Sequence, residues 1–196
     1  MEPMKSLIMN GGRRARPCGF SLIELLTVIA ILAVLMVFAL PAVNSIGGAS
    51  ALTRQGQALN DQFLLARQLA ASRNREVELR LLFETGGSGG TNWASQLWEI
   101  KPGISTNSAS RKIRFPDNLL INPGLSPILT GMTPVSQGGE KWYAFRFRSN
   151  GRLAGQLSGT NNYLTIQLRT DSPGSPRNYF TLQINPITGL VSTYRP

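Results

Sequence analysis

An apolar run of 21 residues near the N-terminus constrains this chain more than any other feature of its sequence. It extends from Phe20 to Leu40, and its only polar residues are Ser21, Glu24 and Thr27. As an α-helix rising about 1.5 Å per residue it would be about 31 Å long, which matches the hydrocarbon core of a bilayer. Four basic residues and one acidic residue precede it, a flank that keeps an N-terminus in the cytoplasm. The pattern predicts a single membrane span, residues 20–40, with everything after Leu40 exported.

Two other export signals fit this segment poorly. A cleaved secretory signal has a shorter apolar part that ends at small residues, whereas Pro41-Ala42-Val43 follow here. A lipoprotein signal needs an apolar stretch before its cysteine, but Arg-Ala-Arg-Pro precedes Cys18. A plain membrane anchor gives no reason for Glu24, because a carboxylate near the centre of a span costs about 2.5–3.5 kcal/mol, and less near the interface. A cation paired with Glu24 would remove this cost.

The segment from Gly19 to Leu32 resembles the class III signal of type IV pilins and type II secretion pseudopilins. It reads Gly-Phe-Ser-Leu-Ile-Glu-Leu-Leu and then Thr-Val-Ile-Ala-Ile-Leu. The resemblance implies that a prepilin peptidase/N-methyltransferase cuts between Gly19 and Phe20 and methylates the new amine. It also implies that Glu24 of an incoming subunit pairs with the Phe20 amine of a neighbouring subunit and so sets the register. The implied partners are other pilin or pseudopilin subunits and an assembly platform in the inner membrane, where the β domain would be periplasmic before it enters the filament.

Cleavage after Gly19 would remove a basic leader, residues 1–19, together with Cys18, the one cysteine of the chain. The leader holds four of the 20 Lys and Arg residues and one of the 10 Asp and Glu residues, so the formal charge would fall from +10 to +7. The mature chain could form no disulfide, although exported proteins reach compartments that permit disulfides. Its stability must come from its core, a partner or the filament.

A second helical pattern follows the apolar run, and it predicts an amphipathic continuation of the helix over residues 41–75. Pro41 predicts a kink, or a simple boundary between anchor and domain, and Gly48 weakens the helix again. We expect a near-continuous helix from about Phe20 to Arg73. Its apolar face, which would pack on a sheet or a partner helix, comprises Leu52, Leu59, Phe63, Ala66, Leu69 and Ala70.

Residues 76–196 change to a period of two, with Gly-rich and Pro-rich turns, which predicts antiparallel strands with one buried face. Phe145 and Phe147 should point inward, while the region from Pro116 to Glu140, with four prolines, should be largely irregular. The expected fold class is α+β: a long N-terminal helix followed by an antiparallel β-sheet domain, as in pilins. This arrangement resembles the GspH family of minor pseudopilins and the FimT family of minor pilins and, more narrowly, the prepilin-like protein D of the Verru_Chthon cassette.

Several kinds of chemistry are excluded or unsupported. The chain has no histidine and one cysteine, so it holds no His-dependent triad, His-ligated metal or multi-cysteine metal site. Glu76, Glu78 and Glu84 lie near arginines on one predicted strand, which favours surface ion pairs over catalysis. After Glu140 the only acidic residue is Asp171, too few for calcium, which favours a minor over a major subunit. We therefore predict no enzyme activity, no cofactor and no metal site.

Three arginines leave a nucleic-acid alternative open. Arg146, Arg148 and Arg152 lie on or beside one predicted strand, and a basic stripe with aromatic residues is what phosphate-backbone binding needs. Some FimT-like minor pilins bind DNA through C-terminal arginines, but the closing turn from Thr188 to Val191 lacks them. Alternating arginines also serve to solvate an open sheet face. The main prediction is a minor pilin or pseudopilin; the alternatives are a DNA-binding minor pilin and a plain membrane-anchored β domain.

Overall fold

The computed structural model describes residues 20–85, 90–101, 106–155 and 161–196, without the side chains of residues 38–46. The chain divides into two compact units, Met1–Val43 and Asn44–Pro196. A single helix, α1, extends from Leu22 to Arg73 and contributes to both units. The predicted near-continuous helix is thereby confirmed.

The backbone of α1 stays helical through Pro41 and Gly48. A kink at Pro41 stays a prediction, since continuity of the helix does not test it. Among the described residues, no helix combines the length and the apolar character that crossing a membrane requires. The membrane span predicted for residues 20–40 is therefore unconfirmed.

The part of α1 in the second unit buries one face, as its periodicity predicts. Leu69 is partly buried, and the other five predicted apolar residues are 0% exposed: Leu52, Leu59, Phe63, Ala66 and Ala70. Gly56 lets the helix approach the sheets closely, because a Cβ atom there would clash with the ring of Phe180. After Arg73 the helix ends at Asn74, whose φ of +49° is left-handed.

Short strands and two small helical segments make up the rest of the second unit. The described residues hold eleven strands: β1 Glu76–Thr85, β2 Thr91–Ile100, β3 Asn107–Ser108, β4 Ile113–Arg114, β5 Leu119–Ile121, β6 Val135–Gln137, β7 Glu140–Phe147, β8 Leu153–Ala154, β9 Tyr163–Leu168, β10 Tyr179–Ile184 and β11 Val191–Tyr194. A 3₁₀ turn, Pro123–Leu125, and a one-turn helix, α2, Pro127–Thr130, lie between β5 and β6. The region from Pro116 to Glu140 is thus more ordered than predicted, because strands of three residues are too short to show alternation in the sequence.

The strands form two antiparallel sheets. The first has the order β3-β2-β1-β7-β6, with β4 also pairing with β2 and β8 with β7; the second has the order β11-β10-β9-β5. The chain leaves the first sheet after β4, adds β5 to the second sheet, and returns to the first as β6 and then β7, which pairs with β1, so the domain is not a simple meander. Antiparallel pairing is confirmed, and the division into two sheets was not predicted.

One hydrophobic core joins the helix to both sheets within the second unit. The ring of Phe63 lies edge-to-face with Phe145 and Phe147 of the first sheet, at centroid distances of 5.2 and 6.3 Å. Leu164 and Leu182 of the second sheet belong to the same core and are 0% exposed. The inward position predicted for Phe145 and Phe147 is confirmed.

The prediction of one buried face per strand is wrong for β1. Glu78 and Arg80, expected on a solvated face, are 4% and 9% exposed. Trp98 on β2 and Trp142 on β7 lie over this face and shield it from water. Periodicity shows which residues share a face, but it does not show whether large side chains from neighbouring strands cover that face.

Candidate functional site

The start of α1 contains the residues for which the sequence predicts an assembly role. The first helical hydrogen bond runs from the Leu25 N–H to the Ser21 carbonyl, at 3.2 Å. The Ile23 N–H donates to Ser21 Oγ at 3.3 Å, and the Ser21 N–H donates to Glu24 Oε2 at 3.0 Å. Glu24 thus makes its half of a capping box, while the Ser21 hydroxyl caps the amide of Ile23, and both bonds satisfy backbone donors that a helix start leaves unpaired. The sequence signal was the Ser-x-x-Glu spacing, which the prediction of a pairing role for Glu24 did not use.

The carboxylate of Glu24 is only half used by this cap. Oε2 accepts the Ser21 N–H, and Oε1 has no hydrogen-bond partner among the described residues. A carboxylate has lone pairs on both oxygens, so a second donor can bind without displacing the first. The helix start thus holds Glu24 in place and leaves one charged oxygen available.

The apolar segment of α1 is exposed on every side. Each described side chain from Phe20 to Val37 is exposed, and the large apolar ones retain between 47% of their surface, at Val28, and 83%, at Leu22. A helix that is apolar all round belongs in a membrane or in a protein core. Exposed apolar surface of this extent marks a site of association with lipid or protein.

The other predicted residues of this region are only partly described. Gly19 lies outside the described residues, as does the leader. Phe20 is 81% exposed and lies two residues before the start of α1, outside any regular secondary structure. Pro41 lies within the helical backbone, but its side chain is outside the description. Cleavage, methylation and kinking stay predictions.

The three arginines predicted as a binding stripe have different environments. Arg146 Nη2 lies 3.1 Å from Glu78 Oε2, and its Nη1 lies 3.7 Å from Glu76 Oε2. Arg148 and Arg152 are exposed, and the Arg148 N–H donates to the Arg152 carbonyl at 2.9 Å across the turn. Their guanidinium groups have no partner among the described residues. The structure therefore groups Arg148 with Arg152 and ties Arg146 to two carboxylates.

A cluster that the sequence did not predict lies on the outer face of the first sheet. Arg80 Nε donates to Glu78 Oε1 at 2.8 Å. The Arg80 Cζ atom lies 4.1 Å from the ring centroid of Trp98 and 4.4 Å from that of Trp142. We call the three side chains Trp98, Arg80 and Trp142 the Arg80 stack. The available signal in the sequence was the two tryptophans themselves, because tryptophan side chains are mostly buried in folded proteins.

Glu84 and Glu76 form surface ion pairs, as predicted. Lys112 Nζ lies 3.5 Å from Glu84 Oε1 and 3.0 Å from Glu140 Oε1. Glu78 differs, because it is buried between two guanidinium groups. Within the described ranges, no cluster of three or more His, Cys, Asp or Glu side chains could hold a metal ion.

Comparison with known proteins identifies the N-terminal segment. Residues 14–40 match the family model of the prokaryotic N-terminal methylation motif. No curated protein and no solved structure matches the chain. The motif implies processing by a prepilin peptidase, assembly with other pilin subunits and a membrane-anchored precursor. With the capped helix start and the apolar helix that follows it, the chain carries the prepilin-type N-terminal signal of type IV pilins and pseudopilins.

Proposed function

We propose that this protein is a minor pilin or pseudopilin, cut after Gly19, methylated on Phe20 and assembled into a type IV pilus or a type II secretion pseudopilus. The observation that carries the proposal is the helix that begins two residues after the cleavage position and is exposed and apolar on all sides through Val37. The methylation motif over residues 14–40 supports it independently. The role is structural rather than enzymatic.

The apolar helix accounts for both states of such a subunit. Before assembly, residues 20–40 span the inner membrane with the N-terminus in the cytoplasm and the β domain in the periplasm. After assembly, the same surface packs against the helices of other subunits. A helix without a polar face suits both surroundings, since lipid tails and packed apolar side chains are similar solvents.

Glu24 supplies the polar contact that the apolar surface lacks. Cleavage creates a charged amine on Phe20. The unpaired Oε1 of Glu24 can accept a hydrogen bond from the Phe20 amine of a neighbouring subunit, while Oε2 keeps its bond to the Ser21 N–H. Charge-assisted hydrogen bonds of this kind are short and about twice as strong as neutral ones. The pair would fix the axial register of the incoming subunit.

The β domain supports a minor subunit similar to the GspH and FimT families. A long helix packed on antiparallel sheets is the arrangement expected of them, and the C-terminal third lacks the acidic cluster of a calcium-binding major subunit. In this role the domain would provide the contacts that select partner subunits or cargo.

The DNA-binding alternative loses part of its basis. The charge of Arg146 is balanced by Glu76 and Glu78, so Arg148 and Arg152 are the free cations of the predicted stripe. Each phosphate contact contributes about one unit of salt dependence, and two contacts give weak binding at physiological salt. A gel-shift titration of the processed chain across salt concentrations tests this: no salt-sensitive complex is expected, and a tight one would restore the alternative.

The mature N-terminus tests the main proposal. The protein is expressed with and without a prepilin peptidase, and its N-terminal peptide is analysed by mass spectrometry. We expect N-methylated Phe20 with the peptidase and an intact leader without it. The Glu24→Leu variant is the matched control, since it should be cleaved normally yet fail to enter filaments. A chain that keeps Met1 in the presence of the peptidase would contradict the proposal.

A further inference from the structure

A groove of about 480 Å³ lies on the outer face of the second sheet. Its volume falls within the range of about 300–1,000 Å³ that small-molecule sites in proteins occupy. The floor contains Thr165 and Thr181, which are paired on β9 and β10 and are 4% and 9% exposed. Tyr163 and Tyr179 line the groove from the same two strands, one on either side of the threonine pair. The groove is therefore a shaped concavity with an aromatic residue toward each end.

Buried polar side chains hold the two walls of the groove, of which one follows β5 and the other precedes β10. Asn122, which is 5% exposed, serves both walls: its Oδ1 accepts the Gly124 N–H at 2.9 Å, and its Nδ2 donates to the Pro173 carbonyl at 2.6 Å. Ser126 Oγ accepts the Thr165 N–H at 2.9 Å, which ties the first wall to the floor. Because these bonds already order the walls, a ligand would bind without the entropy cost of ordering them.

The groove carries no charge. Within the described ranges, no charged side chain lines it. The outward-facing residues of β9, β10 and β11 are likewise tyrosine, threonine, glutamine and serine, although the chain as a whole has a formal charge of +10. An ionised ligand would lose hydration in the groove without meeting an opposite charge. The lining therefore favours an uncharged ligand.

The polar groups of the groove are mainly hydroxyls. Thr165 Oγ1 and Thr181 Oγ1 lie 2.9 Å apart, so one of the two donates to the other. The second hydroxyl of the pair keeps a proton that has no acceptor among the described residues, and the Tyr179 hydroxyl has no partner there either. Hydroxyls both donate and accept, and the hydroxyls of a sugar do the same. The negative faces of tyrosine rings also attract the weakly positive C–H groups on the face of a sugar ring.

We propose that this groove binds a short neutral oligosaccharide, whose rings lie against Tyr163 and Tyr179 and whose hydroxyls bond to the threonine pair. In the β9–β10 register Tyr163 pairs with Gln183 and Tyr179 pairs with Gln167. The two tyrosines are thus four residues apart along the strands, which is about 14 Å. This distance exceeds one sugar ring, so the ligand is a short chain of sugars. The inference does not depend on cleavage or on filament assembly.

A peptide is the other uncharged occupant, and the structure favours it less. A peptide that extends a sheet bonds to the backbone of an edge strand, whereas β9 and β10 each pair with a strand on both sides. A proline-rich peptide could stack on the tyrosines, but it has neither hydroxyls nor backbone N–H groups at its prolines. It would therefore leave the acceptor sites of the groove hydroxyls unused.

Titration of the full chain in phosphocholine micelles tests the proposal, since a maltoside detergent would itself supply a sugar. The probes are cellotriose, maltotriose, glucose, the charged trigalacturonate and a capped tetraproline peptide, and the readouts are the NMR signals of tyrosine rings and threonine methyl groups. At least one neutral trisaccharide should shift the signals of Tyr163, Tyr179, Thr165 and Thr181. It should bind about tenfold more tightly than glucose, because it reaches both tyrosines. Tyr194, on the same outer face but outside the groove, is the internal control and should not move.

Three variants separate the aromatic contact from other effects. Tyr179→Leu keeps an apolar side chain but removes the ring, and it should lose about tenfold in affinity. Tyr179→Phe keeps the ring and should bind within about threefold of the wild type. Tyr194→Leu is the matched control and should bind normally.

Four results would overturn the proposal. The first is that neither neutral trisaccharide shifts the groove signals in the millimolar range, and the second is an equal loss in Tyr179→Leu and Tyr194→Leu. Groove shifts by trigalacturonate at equal affinity would show that the site does not select against charge. Tetraproline binding as tight as that of the trisaccharides would show a peptide groove instead. If Tyr179→Leu does not fold, the wild-type map decides, and shifts centred on Tyr194 would refute the assignment.

Discussion

Replacing Glu24 by glutamine separates two roles that its carboxylate can play. One role is local, because Oε2 accepts the Ser21 N–H at 3.0 Å and caps the first turn of α1. The other is the proposed pairing of Oε1 with the Phe20 amine of a neighbouring subunit. Glutamine can still cap a helix in a capping box, but it carries no charge. The substitution therefore keeps the first role and removes the second.

The two roles differ in expected size. A hydrogen bond to a charged group contributes about 1.5–3 kcal/mol, so losing the pair should lower the equilibrium for incorporation by about 10-fold to 150-fold. Losing the cap hydroxyl in Ser21→Ala costs about 1 kcal/mol, or about fivefold. Glu24→Gln should therefore impair assembly more than Ser21→Ala does. Ser21→Thr, which keeps an N-cap hydroxyl, should assemble normally.

The assay compares each variant in sheared filaments with the cleaved protein left in the membrane. Dividing the first amount by the second removes any effect on expression or processing. We expect all four proteins, including the wild type, to be cleaved to the same extent. Normal assembly of Glu24→Gln together with a stronger defect in Ser21→Ala would show that the acid serves its own helix, and would refute the pairing.

Three stability predictions follow from the β domain, each measured by urea unfolding of the full chain in micelles. Arg80→Ala should destabilise the domain by about 3 kcal/mol, because it removes a guanidinium held by two indole rings and half the partners of a buried carboxylate; a loss below about 1 kcal/mol would contradict the buried pair. Gly56→Ala should cost about 1–3 kcal/mol, because its new Cβ would clash with the ring of Phe180. Gly47→Ala has no atom within 4 Å of its new Cβ and should stabilise the domain by up to about 1 kcal/mol. Equal effects of the two variants would refute the close packing of α1 against Phe180. Arg169→Lys should cost about 2 kcal/mol or more, since the guanidinium donates to the carbonyls of three other residues, and an unchanged midpoint would contradict that role.

The helix and the inward faces were predictable because their signals repeat. The apolar face of α1 from Leu52 to Ala70 recurs over five turns, so one misleading residue does not hide it. The alternation around Phe145 and Phe147 is shorter but agrees with its turn at Gly151, whose φ of +78° suits glycine. In both cases local sequence and tertiary packing favour the same structure.

The sheet division and the Arg80 stack were not predictable, since both depend on contacts between distant strands. Strand β1 lies between β2 and β7, and that order brings Trp98 and Trp142 to opposite sides of Arg80. No local pattern contains this pairing. The same limit explains Arg146, which looks like a free cation in the sequence and meets Glu78 only through the β1–β7 register.

The two units place different demands on their surroundings, and this difference shows where assembly specificity must arise. The second unit buries its own core, including the apolar face of α1, and needs no other chain for that purpose. The apolar side chains from Phe20 to Val37 are exposed, and in the proposed assembly they would gain little on passing from lipid to packed helices, because the two surroundings are equally apolar. Hydrophobic burial would therefore stabilise the subunit about equally in the membrane and in the filament, and would not favour one over the other. In the proposed assembly the choice would therefore come from polar groups, and Glu24 at the helix start is the candidate that the structure describes.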